Sequence, residues 1–331
     1  MKKVTISTVV PVYSGQNYLR ELADELARLH DQWNKDNHPL QLLEAIFVDD
    51  AAIDQSSAVL ADLAQRFPWV KVVSLSKNYG QHPATVAGVL YSSGDWIVTM
   101  DEDLQHQPKN IVDLLTVVAK TSADIVYAKP ASAVHKNSYR DLASRSYKKL
   151  LAKLTGNSII EQFNSFRLIR GSVARAAASV CGYDTYFDIA LNWFTNRIEV
   201  LQLQIKDVRY EKTGRSGYNL YKLLSHARRL ITSSQTKVLR VGAAIGVLAM
   251  VVAAILATSV LFDYIFDPGS IEVRGWTSLF IGIMFFGGIS TFLLGIVLEY
   301  LTNMVLHLQG KPVFFVVERS TDKLLHEYFD T

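Results

Sequence analysis

The sequence predicts an α/β protein built on a mostly parallel, doubly wound sheet and followed by a two-helix transmembrane hairpin. Three observations carry this. Short β-rich runs alternate with helical patterns through the first half of the chain. Two of those runs end in carboxylate pairs, Asp49-Asp50 and Asp101/Asp103. Two later stretches, Val241 to Phe262 and Gly275 to Leu298, carry no formally charged side chain.

The elements follow in order. Val4 to Tyr13 reads as a first strand ending in a turn at Ser14-Gly15, and a helix follows with Tyr18, Leu19, Leu22, Leu26 and Leu29 on one face. Leu42 to Val48 is a second strand, and Asp54 has the character of an N-cap for a helix through Leu60, Leu63 and Phe67. Val70 to Leu75 is a third strand, followed by a helix from Gln81 to Tyr91. Trp96 to Met100 is a short buried strand, then come a helix over Asn110 to Ala119 and a strand over Asp124 to Ala128.

The chain is organised around the stretch from Trp96 to Gln105. Its apolar start suits an inner parallel strand, and its acids fall where open α/β sheets bind ligands, at the carboxyl end. Asp101 and Asp103 stand two residues apart, so in extended backbone they point the same way and could hold one hard cation. Such close carboxylates repel unless a cation or protons neutralise them. A divalent ion bridging to a diphosphate would do so, which favours a nucleotide-linked substrate; a solvated acidic turn before a helix is the alternative. No Gly-x-Gly-x-x-Gly follows the first strand and no Gly-Lys-Ser/Thr loop is present, which argues against dinucleotide and Walker-type sites.

A net charge of +3 over 331 residues argues against nucleic-acid binding through bulk charge. The single cysteine, Cys181, excludes an intramolecular disulfide and a thiol cluster. No secretory signal is expected, because the N-terminus runs directly into a strand pattern.

Each uncharged run exceeds the ~20 residues a helix needs to cross a bilayer. Spans are expected at about 239–262 and 276–301, inside a membrane region 238–303. Lys222, Arg228, Arg229, Lys237 and Arg240 precede the first; Lys311, Arg319 and Lys323 follow the second; the connection carries Asp263, Asp267 and Glu272 against Arg274. The positive-inside rule then puts both termini and the sheet domain, residues 1–215, in the cytoplasm of a multi-pass protein of the inner (plasma) membrane. Within 216–237, Leu220, Leu223, Leu224, Ala227, Leu230 and Ile231 recur at helical spacing beside basic residues, as in an amphipathic helix lying in the headgroup region. In the tail, 304–331, Pro312 to Glu318 reads as a strand that packs on the domain or makes a subunit contact in a homo-oligomer.

Val10-Pro11-Val12-Tyr13-Ser14-Gly15, Phe47-Val48-Asp49-Asp50 with Asp54, Leu75-Ser76-Lys77-Asn78-Tyr79-Gly80, and Met100-Asp101-Glu102-Asp103-Leu104-Gln105-His106-Gln107-Pro108 resemble the successive motifs of family 2 inverting glycosyltransferases with a GT-A fold. The similarity is greatest to the polyprenyl-phosphate group, that of dolichol-phosphate mannose synthase and the bactoprenol glucosyltransferases. It implies a sugar moved from a nucleotide diphosphate sugar, UDP-sugar favoured, to polyprenyl phosphate. By that resemblance Pro11, Tyr13 and Asp50 would line the base and ribose pocket, with Asp49 supporting it and Lys77 near the phosphates. Asp101 and Asp103 would be the Asp-x-Asp pair, Asp103 binding Mg²⁺ or Mn²⁺ directly and Gln105 a further ligand. Arg167, in an acceptor-side strand with Ser165, would face phosphate, and Arg209, Arg215 and Ser216 would belong to a basic segment closing over the donor. Two departures stand out: Ala51-Ala52 replace the usual Gly-Ser, and Ser165 stands where some relatives carry an Asp proposed as a base. A transferase extending a lipid-linked glycan at a hydroxyl would need that base. A catalytically silent membrane scaffold is the rival from outside the enzymes.

Overall fold

The computed structural model describes residues 3–35, 38–130, 163–182, 185–203, 275–309 and 312–318, with Ile255, Thr258, Phe266 and Tyr328 singly. Strands and helices alternate from the start: β1 (Val4–Val12), α1 (Leu19–Lys35), β2 (Leu40–Asp49), α2 (Ser56–Arg66), β3 (Val70–Ser74), α3 (Gln81–Leu90) and β4 (Trp96–Thr99). A 3₁₀ turn at Pro108–Asn110 leads into α4 (Ile111–Thr121), then β5 (Ile125–Pro130), β6 (Arg167–Arg170), α5 (Gly171–Val180), α6 (Phe187–Leu191), β7 (Ile198–Leu203) and α7 (Trp276–Leu308).

The described strands form one sheet in the order β3-β2-β1-β4-β6-β5-β7. Parallel pairing joins β1 to β2 and β4, β2 to β3, and β5 to β7, while β6 runs antiparallel between β4 and β5. The expectation of a mostly parallel sheet therefore holds, with β6 as the reversed strand.

The strand period of two sorts the core into two layers. Ile6, Val10 and Val12 of β1 face a cluster containing Leu22 and Leu26 of α1, Leu60 and Leu63 of α2, and Ile111 and Leu114 of α4. Val9 faces the other side, with Ala84 and Ala87 of α3, Ala174 and Ala177 of α5, and Phe187 of α6. Small residues let α3 approach closely: a Cβ on Gly88 would lie 2.4 Å from Val9 Cγ1.

Helix α7 is 33 residues long, or about 50 Å at 1.5 Å per residue. Its apolar window Phe285–Thr302 has 0% of its residues buried and suffices in length to cross a membrane. The second expected span falls on this helix. The first, at about 239–262, and the amphipathic segment 216–237 lie outside the described residues, so the hairpin itself is not seen.

One boundary expectation shifts by a residue. Gln55 holds the N-cap position of α2 and makes no side-chain cap bond. Asp54, just before it, accepts the N–H of Ser56, the first residue of α2, at 2.9 Å, and that of Gln16 at 3.2 Å, which ties the helix start to the loop after β1.

Candidate active site

The strand order reverses between β1 and β4, and the loops leaving their carboxyl ends part to form the crevice of an open α/β sheet. From β1 come Tyr13, Ser14 and Gly15; from β4 comes the acidic turn Asp101 to Gln105. Glu102 joins them. Its Oε2 accepts the N–H of Tyr13 at 3.0 Å and its Oε1 that of Ser14 at 3.1 Å. The carboxylate lies over Gly15, where a Cβ would come within 2.6 Å of Oε2, so no larger residue fits without moving it. Burial pushes the Glu102 carboxyl up to about 7, against the two amides that favour its charged form; Asp103 and Asp54 add repulsion.

Asp101 is held from both sides. Gln81 Nε2 donates to its Oδ1 at 2.6 Å and the Ser165 hydroxyl to its Oδ2 at 2.7 Å. Ser165, just before the reversed strand β6, is tied to β4, whose Thr99 hydroxyl donates to its carbonyl at 2.6 Å. Asp103 is 8% exposed, and its Oδ1 accepts the Gln105 N–H at 3.3 Å. Leu104 between them takes φ of 62°, a costly conformation for a branched side chain that turns the chain sharply at this point. His106 is buried and stacks on Phe166 at 4.8 Å between centroids; burial lowers its pKa, with the charge of Asp101 acting the other way.

At the end of β2 the two aspartates divide their work. Asp49 Oδ1 accepts the N–H of Ala52 at 2.9 Å and Oδ2 the hydroxyl of Ser57 at 2.6 Å, fixing the loop into α2. Within that loop Ala51 has φ of 51°, where glycine carries no steric cost. Asp50 accepts the N–H groups of Tyr79 and Gly80 at 2.7 and 2.8 Å. Burial raises its pKa, those amides oppose the rise, and Asp49 adds to it. Pro11 lies within β1, paired with Val48. Tyr13 is 40% exposed, and Lys77 is exposed with its ammonium 5.3 Å from the Tyr79 ring.

Arg167 requires a correction. It does not face an open phosphate site: it is 4% exposed, Nη1 donates to Asp188, and its guanidinium lies over the Phe187 ring at 5.0 Å. Burial works against its charge, but Asp188, with Tyr127 and Tyr186, raises its pKa. Tyr127 also donates to Asp188, at 2.7 Å, completing a buried polar cluster beneath the site. Arg209, Arg215 and Ser216 lie outside the described residues.

A cation in this crevice would not be held by protein groups alone. Among the described residues no three His, Cys, Asp or Glu side chains group as a metal site. Asp101 and Asp103 are the carboxylates of this turn that could hold an ion, whose remaining ligands would come from a substrate diphosphate and water. That division suits Mg²⁺ or Mn²⁺.

Residues 7–177 match the family model described as Glycosyl transferase family 2, more than half of the chain. The chain is a family 2 glycosyltransferase.

Relatives of this glycosyltransferase match it over most of its length. It is 30% identical over 314 residues to an undecaprenyl-phosphate 4-deoxy-4-formamido-L-arabinose transferase of Edwardsiella ictaluri, covering 94% of this chain and 93% of the relative. It is 26% identical to a prophage bactoprenol glucosyl transferase homolog of Escherichia coli, covering 94% and 98%. The fold is shared with mannosyl-3-phosphoglycerate synthase from Rubrobacter xylanophilus, with a TM-score of 0.51 at 14% identity over 70% of this chain and 72% of that one. It is shared too with glucosyl-3-phosphoglycerate synthase from Mycobacterium tuberculosis, solved with Mn²⁺ and UDP-glucose, with a TM-score of 0.50 at 18% identity over 71% and 79%. The GT-A fold of this glycosyltransferase follows from these likenesses.

Glu102, Gln81 and Asp188 are the site residues that sequence reasoning missed. A carboxylate between the two expected ones was a usable signal for Glu102. Gln81, just after the Tyr79-Gly80 turn, had a weaker one, and Asp188 had none.

Proposed function

We propose that this protein moves a sugar from a nucleoside diphosphate sugar, a UDP-sugar in preference, to a polyprenyl (undecaprenyl) phosphate at the cytoplasmic face of the membrane, inverting the anomeric carbon. The observation that carries the reading is the length of the match to the undecaprenyl-phosphate transferase, which runs through the apolar C-terminal part as well as the sheet domain. A transferase serving a soluble acceptor needs no such helix. A polyprenyl acceptor is insoluble and has to be met at a bilayer surface.

In this reading the loops after β1 and β2, with Pro11, Tyr13 and the Asp50-braced turn, form the base and ribose pocket, and Asp49 supports it. Lys77 lies toward the phosphates. Asp101, aimed by Gln81 and Ser165, and Asp103, with Gln105 beside it, face the diphosphate. A Mg²⁺ or Mn²⁺ ion bound at Asp103 would neutralise charge on the leaving diphosphate; the relative of like fold solved with Mn²⁺ and UDP-glucose agrees with this. The acceptor phosphate oxygen forms a bond to C1 as the bond from C1 to the diphosphate oxygen breaks on the opposite face. A phosphate monoester is largely ionised near neutral pH, so it needs no strong base, and the Ser165 hydroxyl, already donating to Asp101, supplies none. Arg209, Arg215 and Ser216 are assigned to the two phosphate groups, and the segment 216–237 to the headgroup layer.

The test is to incubate detergent-purified enzyme with Mn²⁺, a short polyprenyl phosphate and a panel of nucleotide sugars, and to read the lipid by mass. One added sugar on the phosphate supports the reading. Product only when a lipid-linked glycan is supplied would move the acceptor to a hydroxyl.

A further inference from the structure

The tail that follows α7 comes back to the catalytic sheet. Val316 makes an antiparallel bridge to Leu75, just past the end of β3. Ser76 N–H donates to the Phe315 carbonyl at 2.9 Å, and Val317 N–H to the Ser74 carbonyl at 2.9 Å. Phe314 and Val316 pack against the core layer that holds Leu75, Val73 and Ala84. The tail thus pairs its own backbone with the chain at the carboxyl end of the edge strand β3, from Ser74 to Ser76.

The contact continues inward. The Ser76 hydroxyl lies 3.1 Å from the Tyr79 hydroxyl. Tyr79 and Gly80 donate their N–H groups to Asp50 at 2.7 and 2.8 Å. Gly80, with φ of 94°, ends this turn, and α3 begins at Gln81, whose side chain holds Asp101 at 2.6 Å. A continuous path therefore runs from Phe315 through Ser76, Tyr79, Gly80 and Gln81 to the acidic turn. Phe315 stands seven positions beyond Leu308, the end of the apolar helix, so at most about 24 Å of extended chain separates them.

We propose that residues 314–317 are a positioning element for the donor site, fixing the turn from Ser74 to Gln81, and with it Asp50 and Asp101, relative to the seat of α7. This rests on the reading of that turn as part of the nucleotide pocket. A tail in place holds the turn in its binding shape; a tail displaced leaves the turn mobile and weakens nucleotide binding, with less effect on turnover once the donor is bound.

Val317→Pro removes the N–H that reaches Ser74 and prevents regular pairing there. The probe is UDP with Mn²⁺, GDP and dTDP serving as alternatives, titrated into the full-length protein. The expected result is a rise of about tenfold in Kd for UDP and in KM for the nucleotide sugar, with kcat at saturation within about twofold. Leu75 and Val316 form a non-hydrogen-bonded pair, whose Cα separation of about 4.5 Å admits a disulfide. Leu75→Cys with Val316→Cys should close on oxidation in native membranes and keep UDP binding; placed in the Val317→Pro background, oxidation should restore it. Unchanged UDP binding in folded Val317→Pro would overturn the inference. So would a cysteine pair that does not close, which decides the matter even where Val317→Pro does not fold. Should the wild type bind none of the three nucleotides, the donor-site reading itself falls and the inference with it.

Discussion

Glu102 Oε2 accepts the backbone N–H of Tyr13 at 3.0 Å, hooking the turn after β4 to the loop after β1 across the point where the sheet reverses. The second oxygen does the same for Ser14. Glu102→Gln keeps one acceptor but sets an amide donor against the other N–H. Unfolding free energy should fall by about 1.5–3 kcal/mol, as when a charged hydrogen-bond partner is lost. Gly15→Ala should be costly by displacing the same carboxylate, and less so in a Glu102→Ala background. Chemical denaturation of the double-mutant cycle measures this, and strict additivity would argue against the contact.

The hydroxyl of Ser165 aims Asp101. Ser165→Ala should lower kcat/KM about tenfold, near the worth of one hydrogen bond to a charged group. Ser165→Asp should lower it further, because a second carboxylate would face Asp101 Oδ2. Initial rates on both variants check this; a gain of activity in Ser165→Asp would point instead to a missing base and a hydroxyl acceptor.

Ala51 occupies a left-handed position that costs an L-residue about 1–2 kcal/mol. Ala51→Gly removes that strain and returns part of it as unfolded-chain entropy, leaving a net gain of about 0.5–1 kcal/mol. Thermal unfolding should shift upward by about 1–3 °C. A lower Tm would show that the loop relies on the Ala51 methyl.

Much of this was legible in the sequence, for identifiable reasons. The apolar runs ending at Asp49-Asp50 and Asp101 report strands and their carboxyl edge directly, because burial on both faces leaves little room for polar residues. Local pattern could not show that Arg167 turns inward, since its partner Asp188 stands twenty-one positions further on. It could not show that Asp54, besides taking the first N–H of α2, reaches Gln16 thirty-eight positions back. The strand character of Pro312 to Glu318 was visible; that it pairs with the edge beyond β3 depends on where α7 ends.

Burial raises the Asp50 pKa, so the folded protein favours the protonated acid. This contribution to stability is complete below the unfolded value of about 4 and is lost as pH rises through the folded value. The stability of the wild type relative to Asp50→Ala should therefore shrink as pH is raised from about 4 towards neutrality. Denaturation series on the nucleotide-free proteins give the difference directly; an advantage that grows with pH would mean the Tyr79 and Gly80 amides outweigh burial.

The central claim is sugar transfer at the acidic turn onto a polyprenyl phosphate. Its most direct measurement is the mass of the lipid after incubation of wild type and Asp103→Ala with Mn²⁺, polyprenyl phosphate and nucleotide sugars, alongside circular dichroism of both proteins. The predicted result is a lipid heavier by one sugar with the wild type and unmodified lipid with an equally folded Asp103→Ala. An equal yield of sugar-bearing lipid from the variant would contradict the role of Asp103, and unmodified lipid from the wild type with every donor would contradict the reaction.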